Sequence, residues 1–308
     1  MKNLKVIFMG TPSFSVPVLD GLIEACTVIG IVSQPDRNGN KISPVKEISL
    51  AKNIPLFQPE NIKTDYQDIL RLNPDIIITC AYGQIIPKQI LVAPRFGCVN
   101  IHASLLPKYR GGAPIHRAIM NGESKTGITI MLMNERMDAG SIIRQKEEAI
   151  LSSDNVGILH DRLSILSRNL LISTLPDIIS GNIDPIKQNE AEATFASIIT
   201  REDEHINFSK TTREVYNNIR GLNPWPGAYC VLENKVLKVW NSRIGDGIFL
   251  NSFEGEIVNL YEDGIGVKTL NGEIVLTEVQ LEGHKRMNAK DFLNGLKNKE
   301  LLKGKICD

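Results

Sequence analysis

At 308 residues the chain is too long for a typical single hydrophobic core and about right for two domains. Hydrophobic residues make up 42% and charged residues 23%, which excludes disordered and fibrous classes. Lysine plus arginine balance aspartate plus glutamate at 35 each, so a polyanionic partner has to be met by a local basic patch.

The first half alternates strand-like and helix-like segments. Leu4 to Met9 is a short apolar run ending at Gly10, the pattern of a buried parallel strand. Val16 to Ala25 has helical spacing, Val28 to Val32 is the next strand, and Pro44 to Asn53 and Ile62 to Leu72 are predicted helices. Asp75 to Cys80 is a strand, Val99 to His102 a short one, and Ala113 to Met120 is helical. Gly127 to Met133 reads as extended, and Val156 to Ile179 as a long amphipathic helix. This order predicts a doubly wound, mostly parallel α/β domain over residues 1–181, with ligands at the carboxyl ends of its strands. Periodicity fades over 182–206, which reads as a linker. Beyond it, Val236 to Trp240, Glu256 to Leu260, Ile265 to Thr269 and Ile274 to Val279 are short strands. Turn signals at Glu262-Asp263-Gly264 and Asn271-Gly272 separate them. A small OB-like β-barrel over 207–308 is expected.

The five cysteines, Cys26, Cys80, Cys98, Cys230 and Cys307, contain no CxxC pair. Reduced thiols in a cytoplasmic protein are expected, without a disulfide framework or zinc site. The N-terminus lacks the apolar run of a signal peptide, and no stretch approaches the roughly 18 apolar residues that span a bilayer. No membrane association is expected. His102, His116, His160, His205 and His284 show no metal-ligand spacing, so no metal is expected.

Gly10-Thr11-Pro12 follows the first strand without a dinucleotide or phosphate-loop spacing. It is either a tight turn or a ligand-facing loop. Alternation places Asn100 and His102 on one face of their strand. A carboxamide and an imidazole side by side can polarise a carbonyl and exchange a proton, and a hydrogen-bonded core pair is the alternative. Met137-Asp138-Ala139-Gly140 ends the next apolar stretch, and its aspartate can reach back to a neighbouring strand or remain a solvated turn residue. No serine or cysteine sits at a nucleophile elbow. Together Asn100, His102 and Asp138 favour direct transfer between two bound substrates. In Gly221 to Ala228, two prolines flank Trp225, which is expected to anchor the barrel core. Residues 285–308 carry seven Lys or Arg against three acids. Arg37, Lys41 and Lys46 form a second small cluster. Either is a solvated face or a phosphate contact.

These residues resemble the methionyl-tRNA formyltransferase family over nearly the full length. The matching pieces are GTPSFSVPVL (10–19), SQPDR (33–37), SPVK (43–46), AYGQIIP (81–87), NIHASLLPKYRGGAPI (100–115), TGITIM (126–131), MDAG (137–140) and GLNPWPGA (221–228). The resemblance implies a formyltransferase-type Rossmann domain followed by an OB-like, tRNA-binding domain. It implies transfer of formyl from 10-formyltetrahydrofolate, a co-substrate, to the amine of initiator methionyl-tRNA, with no obligate protein partner. It gives Asn100 and His102 the oxyanion, Asp138 the histidine and the proton of the attacking ammonium, and Ser104, Leu105, Leu106 and Pro107 the folate. The family's loop after QPDR is longer and more basic than Asn38 to Ile42 here. Contact with tRNA is therefore expected from Arg37 and Lys41, with Lys285 and Arg286 compensating. Sugar-nucleotide formyltransferases share the trio and a similar second domain, and glycinamide ribonucleotide formyltransferase shares the first domain only. A non-catalytic RNA-binding relative is a further alternative.

Overall fold

The computed structural model describes residues 1–36 and 42–308; the expected tRNA contacts Arg37 and Lys41 lie outside the described residues. Two compact units divide the chain. The first comprises Met1–Pro114, Lys125–Ala149 and His160–Ser197, and the second Ile115–Ser124, Ile150–Leu159 and Ile198–Asp308.

The strands of the first unit are β1 (Lys5–Gly10), β2 (Thr27–Val32), β3 (Leu56–Phe57), β4 (Ile76–Cys80), β5 (Cys98–His102), β6 (Lys125–Leu132) and β7 (Ile142–Ala149). They form one sheet in the order β3-β2-β1-β4-β5-β6-β7. The first five strands pair in parallel, and β6 and β7 add an antiparallel edge. The helices of the first 180 residues are α1 (Val16–Ala25), α2 (Pro44–Lys52), α3 (Gln67–Arg71), α4 (Lys88–Val92), α5 (Pro114–Met120) and α6 (Val156–Ser180). The central strands are apolar runs because both faces are buried. Ile7, Phe8, Met9, Ile76, Ile77 and Ile78 have no exposed surface, as expected for parallel strands covered on both sides.

Several parts of the chain differ from the sequence expectation. The helix expected over 62–72 is confined to α3, because Asn61, Thr64 and Asp65 close a local turn. The Asn61 carbonyl accepts from Thr64 and Asp65, and the Asn61 side chain accepts from Lys63 N–H at 3.1 Å. Such side chains offer the backbone an alternative to helix. The polar strand β7 was not expected, since as an edge it buries little and loses the apolar signal. The stretch 182–206 is not a free connection. Ile186 exchanges two backbone hydrogen bonds of 2.8 Å with Ile142, and the segment 194–196 pairs with Arg110.

The second unit holds α7 (Arg201–Glu204), α8 (Thr212–Gly221), β8 (Ala228–Leu232), β9 (Lys235–Ile244), β10 (Ile257–Leu260), β11 (Ile265–Thr269), β12 (Gly272–Leu281), β13 (Met287–Asn288) and α9 (Ala289–Asn294). Its sheet is antiparallel, in the order β10-β11-β12-β9-β8, with β13 on β12. Residues 305–308 join the two edges. Ile257 N–H donates to Lys305 and Cys307 N–H to Gly255 beside β10, and Asp308 exchanges two bonds with Val231 of β8. The sheet is thereby closed into a barrel with no long free edge. The β8–β9 turn uses Glu233 (φ 49°) and Asn234 (φ 62°), a turn type that usually advertises itself as Asn-Gly. Helix α8 starts at a capping box in which Thr211 and Glu214 bond each other's backbone, satisfying two N–H groups that the first turn leaves without helical partners. Trp225 is not the expected core anchor. It is 41% exposed and meets the His116 ring edge-on at 6.3 Å. No helix among the described residues is long and apolar enough to cross a membrane.

Candidate active site

Register along the sheet sets the first part of the site. Asn100 of β5 stands between Thr79 of β4 and Met131 of β6, and His102 pairs with Thr129. The Thr79 hydroxyl donates to Asn100 Oδ1 at 2.7 Å. Asn100 Nδ2 faces Asp138 Oδ1 at 3.4 Å. A carboxylate only accepts, so this neighbour fixes which end of the carboxamide points towards it. The amide has two N–H groups, and its second has no acceptor among the described residues.

His102 is 7% exposed. Its Nε2 lies 2.8 Å from the Tyr109 carbonyl. A carbonyl cannot donate, so Nε2 carries a proton. Nδ1 is left facing Asp138 Oδ2 across 3.6 Å. Both side chains of the β5 pair therefore converge on one carboxylate.

Asp138 reaches them on the connection between β6 and β7. It adopts a left-handed backbone, φ 50°, which a short polar side chain tolerates better than most. Two residues later, a Cβ on Gly140 would lie 1.7 Å from the Leu132 carbonyl oxygen, so only glycine lets the turn close this tightly. The carboxylate is held by the Gly111 N–H, which donates to Oδ2 at 2.9 Å. Gly111 itself has φ 118°, and a Cβ there would meet the Ala196 carbonyl oxygen at 2.7 Å.

Behind the turn lies a polar chain that the sequence did not single out. Gln188 Nε2 donates to the carbonyls of Asp138 and Gly140, each at 2.8 Å. Its Oε1 accepts from Arg110 Nη2 at 2.8 Å and Nε at 3.1 Å. Arg110 is 2% exposed, and its Nη1 and Nη2 each donate to Glu190 at 3.1 Å. Arg136 adds a bond of 2.7 Å to the same carboxylate. Hydrogen bonds from Arg110 and then Arg136 pull the Glu190 carboxyl down to about 2. Arg110 entered the sequence analysis only inside the family-like run NIHASLLPKYRGGAPI. Gln188 and Glu190 lie in an aperiodic polar stretch.

The segment Ser104 to Pro107 is tied to β6 and β7. Thr129 Oγ1 donates to the Ser104 carbonyl at 2.6 Å and accepts from Leu106 N–H at 3.1 Å. Gln145 Nε2 donates to the Leu106 carbonyl at 2.8 Å. Ser104 and Leu106 are buried, and Ser104 donates to the Lys108 carbonyl at 2.7 Å. Leu105 and Pro107 are the half-exposed members. At the other end of the sheet's carboxyl edge, the Thr11 hydroxyl accepts from Gln34 N–H at 3.0 Å, and Gln34 Nε2 donates to the Tyr82 carbonyl at 3.0 Å. Lys46 pairs with Asp36.

In the second unit Lys285 is exposed. Arg286 is paired with Glu278 at 2.6 and 2.7 Å, and its guanidinium lies 4.8 Å from the Trp240 ring centre. Lys238 Nζ lies 5.3 Å from the same ring. A tryptophan flanked by two cations is a surface suited to bases and phosphates. Among the described residues no group of three or more His, Cys, Asp or Glu is arranged to hold a metal ion.

Residues 2–175 match the family model described as formyl transferase, and 198–297 match formyl transferase, C-terminal domain. Methionyl-tRNA formyltransferase of Bacillus licheniformis is 50% identical over 300 residues, covering 94% of this chain and 95% of that protein. The same enzyme of Bacillus mycoides is 51% identical over 304 residues, covering 96% of each. Among solved structures, an N-formyltransferase from Helicobacter canadensis, in complex with folinic acid and dTDP-3-aminofucose, is 18% identical. It superposes with a TM-score of 0.67, over 89% of this chain and 98% of that one. The last likeness carries the fold, and the two Bacillus proteins carry the closer kinship: the chain belongs to the formyl transferase family, in its methionyl-tRNA formyltransferase branch.

Proposed function

We infer that the protein transfers a formyl group from 10-formyltetrahydrofolate to the α-amine of methionine on initiator tRNA. The observation that carries this reading is the convergence of Asn100 Nδ2 and His102 Nδ1 on the Asp138 carboxylate, in a chain half identical to methionyl-tRNA formyltransferases across both units. The folate donor is supported by the folinic acid bound to the Helicobacter canadensis relative. The five free, buried cysteines fit a cytoplasmic location.

Roles follow from the donors and acceptors. A formamide is a weak electrophile, and its oxygen gains negative charge as the amine attacks. The second N–H of Asn100 and the His102 imidazole meet that charge. Asp138 accepts the proton shed by the attacking ammonium and steadies His102. The tetrahedral centre collapses by breaking the bond to N10 of the folate, which departs with a proton. Products are formyl-methionyl-tRNA and tetrahydrofolate, with one proton released, and no covalent enzyme intermediate is needed. Leu105 and Pro107, with the backbone of 104–107, form the folate-facing edge. Arg37, Lys41, Lys285 and Arg286, joined by Lys238 and Trp240, supply tRNA contacts.

The test is an acceptor panel with 10-formyltetrahydrofolate and purified protein: Met-tRNA, an aminosugar nucleotide and glycinamide ribonucleotide. Formylation of Met-tRNA alone is expected. Formylation of the aminosugar but not Met-tRNA would overturn the assignment. With Met-tRNA, His102→Ala should lose about 10²–10⁴ in kcat and Asn100→Ala about 10²–10³, while folate still binds.

A further inference from the structure

We propose that Arg110, Gln188 and Glu190 form a positioning device that holds Asp138 against His102 and Asn100; this rests on the role of Asp138 given above. Asp138 lies on an irregular connection with a left-handed backbone. Such a conformation carries strain that the surroundings help to offset. Gln188 supplies that support. Its two amide hydrogens go to the carbonyls of Asp138 and Gly140, one on each side of Ala139, so it holds the turn at two points.

Gln188 is in turn immobilised. Arg110 donates to its Oε1 twice, and a buried guanidinium needs a counter-charge, which Glu190 provides. Arg110 is also the middle residue of the segment that contacts the site directly. The carbonyl before it, on Tyr109, accepts from His102 Nε2, and the N–H after it, on Gly111, donates to Asp138 Oδ2. Backbone bonds to Thr194 and Ala196 anchor Arg110 itself. One short segment therefore holds His102 and the Asp138 carboxylate with its main chain, and holds the Asp138 main chain through Arg110 and Gln188. The circuit closes on the aspartate.

Gln188→Glu separates positioning from stability. A glutamate keeps an acceptor for Arg110, but it has no N–H for the two carbonyls and turns them away from its own oxygen. The variant should fold, bind folate with little change in KM, and lose about 10²-fold in kcat, the effect of an ångström-scale misplacement. The deciding measurement is a double-mutant cycle with Asp138→Asn, read by single-turnover transfer of labelled formyl to Met-tRNA. If Gln188 acts through Asp138, then in the Asp138→Asn background Gln188→Glu should cost no more than about two-fold. An equal loss in both backgrounds, or full activity of folded Gln188→Glu, overturns the proposal. Should Gln188→Glu fail to fold, Gln188→Asn, one methylene too short to reach both carbonyls, enters the same cycle with the same criterion. Full activity of Asp138→Asn alone would instead remove the role of Asp138 and so the reading beneath. An inactive Asp138→Asn with a fully active Gln188→Glu removes only the positioning device.

Discussion

Gly140→Ala is the smallest change that moves Asp138, the proposed catalytic aspartate, without touching it. A methyl at this position starts 1.7 Å from the Leu132 carbonyl oxygen, where real contacts keep 3.0 Å or more. Strand and turn must then part by about 1.3 Å, because packed backbone does not compress. The same place carries the bond from Leu132 N–H to the Ser141 carbonyl, 2.9 Å, which stretches with it. Overpacking of this kind costs about 1–3 kcal/mol, a fall in Tm of several degrees for a chain of this size. The larger effect is on rate. Asp138 lies two residues away, and an ångström of displacement at the reacting groups costs about 10²-fold. Steady-state formylation of Met-tRNA should show kcat down by that order with the folate KM nearly unchanged. Thermal unfolding in parallel establishes that the variant is folded at the assay temperature. A folded Gly140→Ala with wild-type kcat would refute the claim that this turn sets the aspartate.

Other perturbations probe separate parts of the molecule. Hydrogen bonds from Arg117, and then from Thr200, hold the Asp203 carboxyl at about 2 against an ordinary 3.8. Its stabilisation is therefore complete above about pH 4 and is lost as pH falls towards 2, so the Tm gap between wild type and Asp203→Asn should narrow over that window; a constant gap refutes the pairing. Burial raises the Cys98 thiol to about 12 and Cys80 further, so neither should react with a thiol reagent at pH 8 until denaturant is added. Mass mapping of early native labelling at either site would contradict this. Removing Arg37 and Lys41 together should lower the salt dependence of tRNA binding by about 1–2 in log–log slope; an unchanged slope excludes the loop as a phosphate contact.

Much of the first unit was readable because its physics is local. DIIITC and the strand before Gly10 are apolar throughout, and only a strand covered on both faces needs that composition. The proximity of Asn100 and His102 followed from strand alternation alone. Elements that bury little were invisible. Strand β7 is IIRQKEEA, with four consecutive exposed residues in its middle. Helix α8 was missed for another reason: of the five residues it buries, only Val215 and Ile219 are large and apolar, the others being Thr212, Asn217 and Gly221. The least legible feature was the support behind the site. Gln188 has no periodicity to mark it, and its importance comes from a buried arginine 78 residues earlier in the chain. Long-range polar networks have this property in general: each member is satisfied only by residues that sequence spacing does not relate.

The second unit poses a different electrostatic problem from the first. With zero formal net charge, the chain as a whole neither attracts nor repels a polyanion, so recognition depends on how individual cations are committed. Arg286 is committed twice, to Glu278 through two hydrogen bonds and to the face of Trp240. Its charge is largely answered within the protein, and what it offers is a fixed planar surface. Lys285, exposed beside it, has the mobile charge that phosphate neutralisation requires. As proposed tRNA contacts the pair divides the work by chemistry: loss of Lys285 should appear mainly in the salt dependence of binding, and loss of Arg286 mainly in how well Trp240 is presented. Counting both as equivalent basic residues, as their adjacency in sequence invites, would miss that difference.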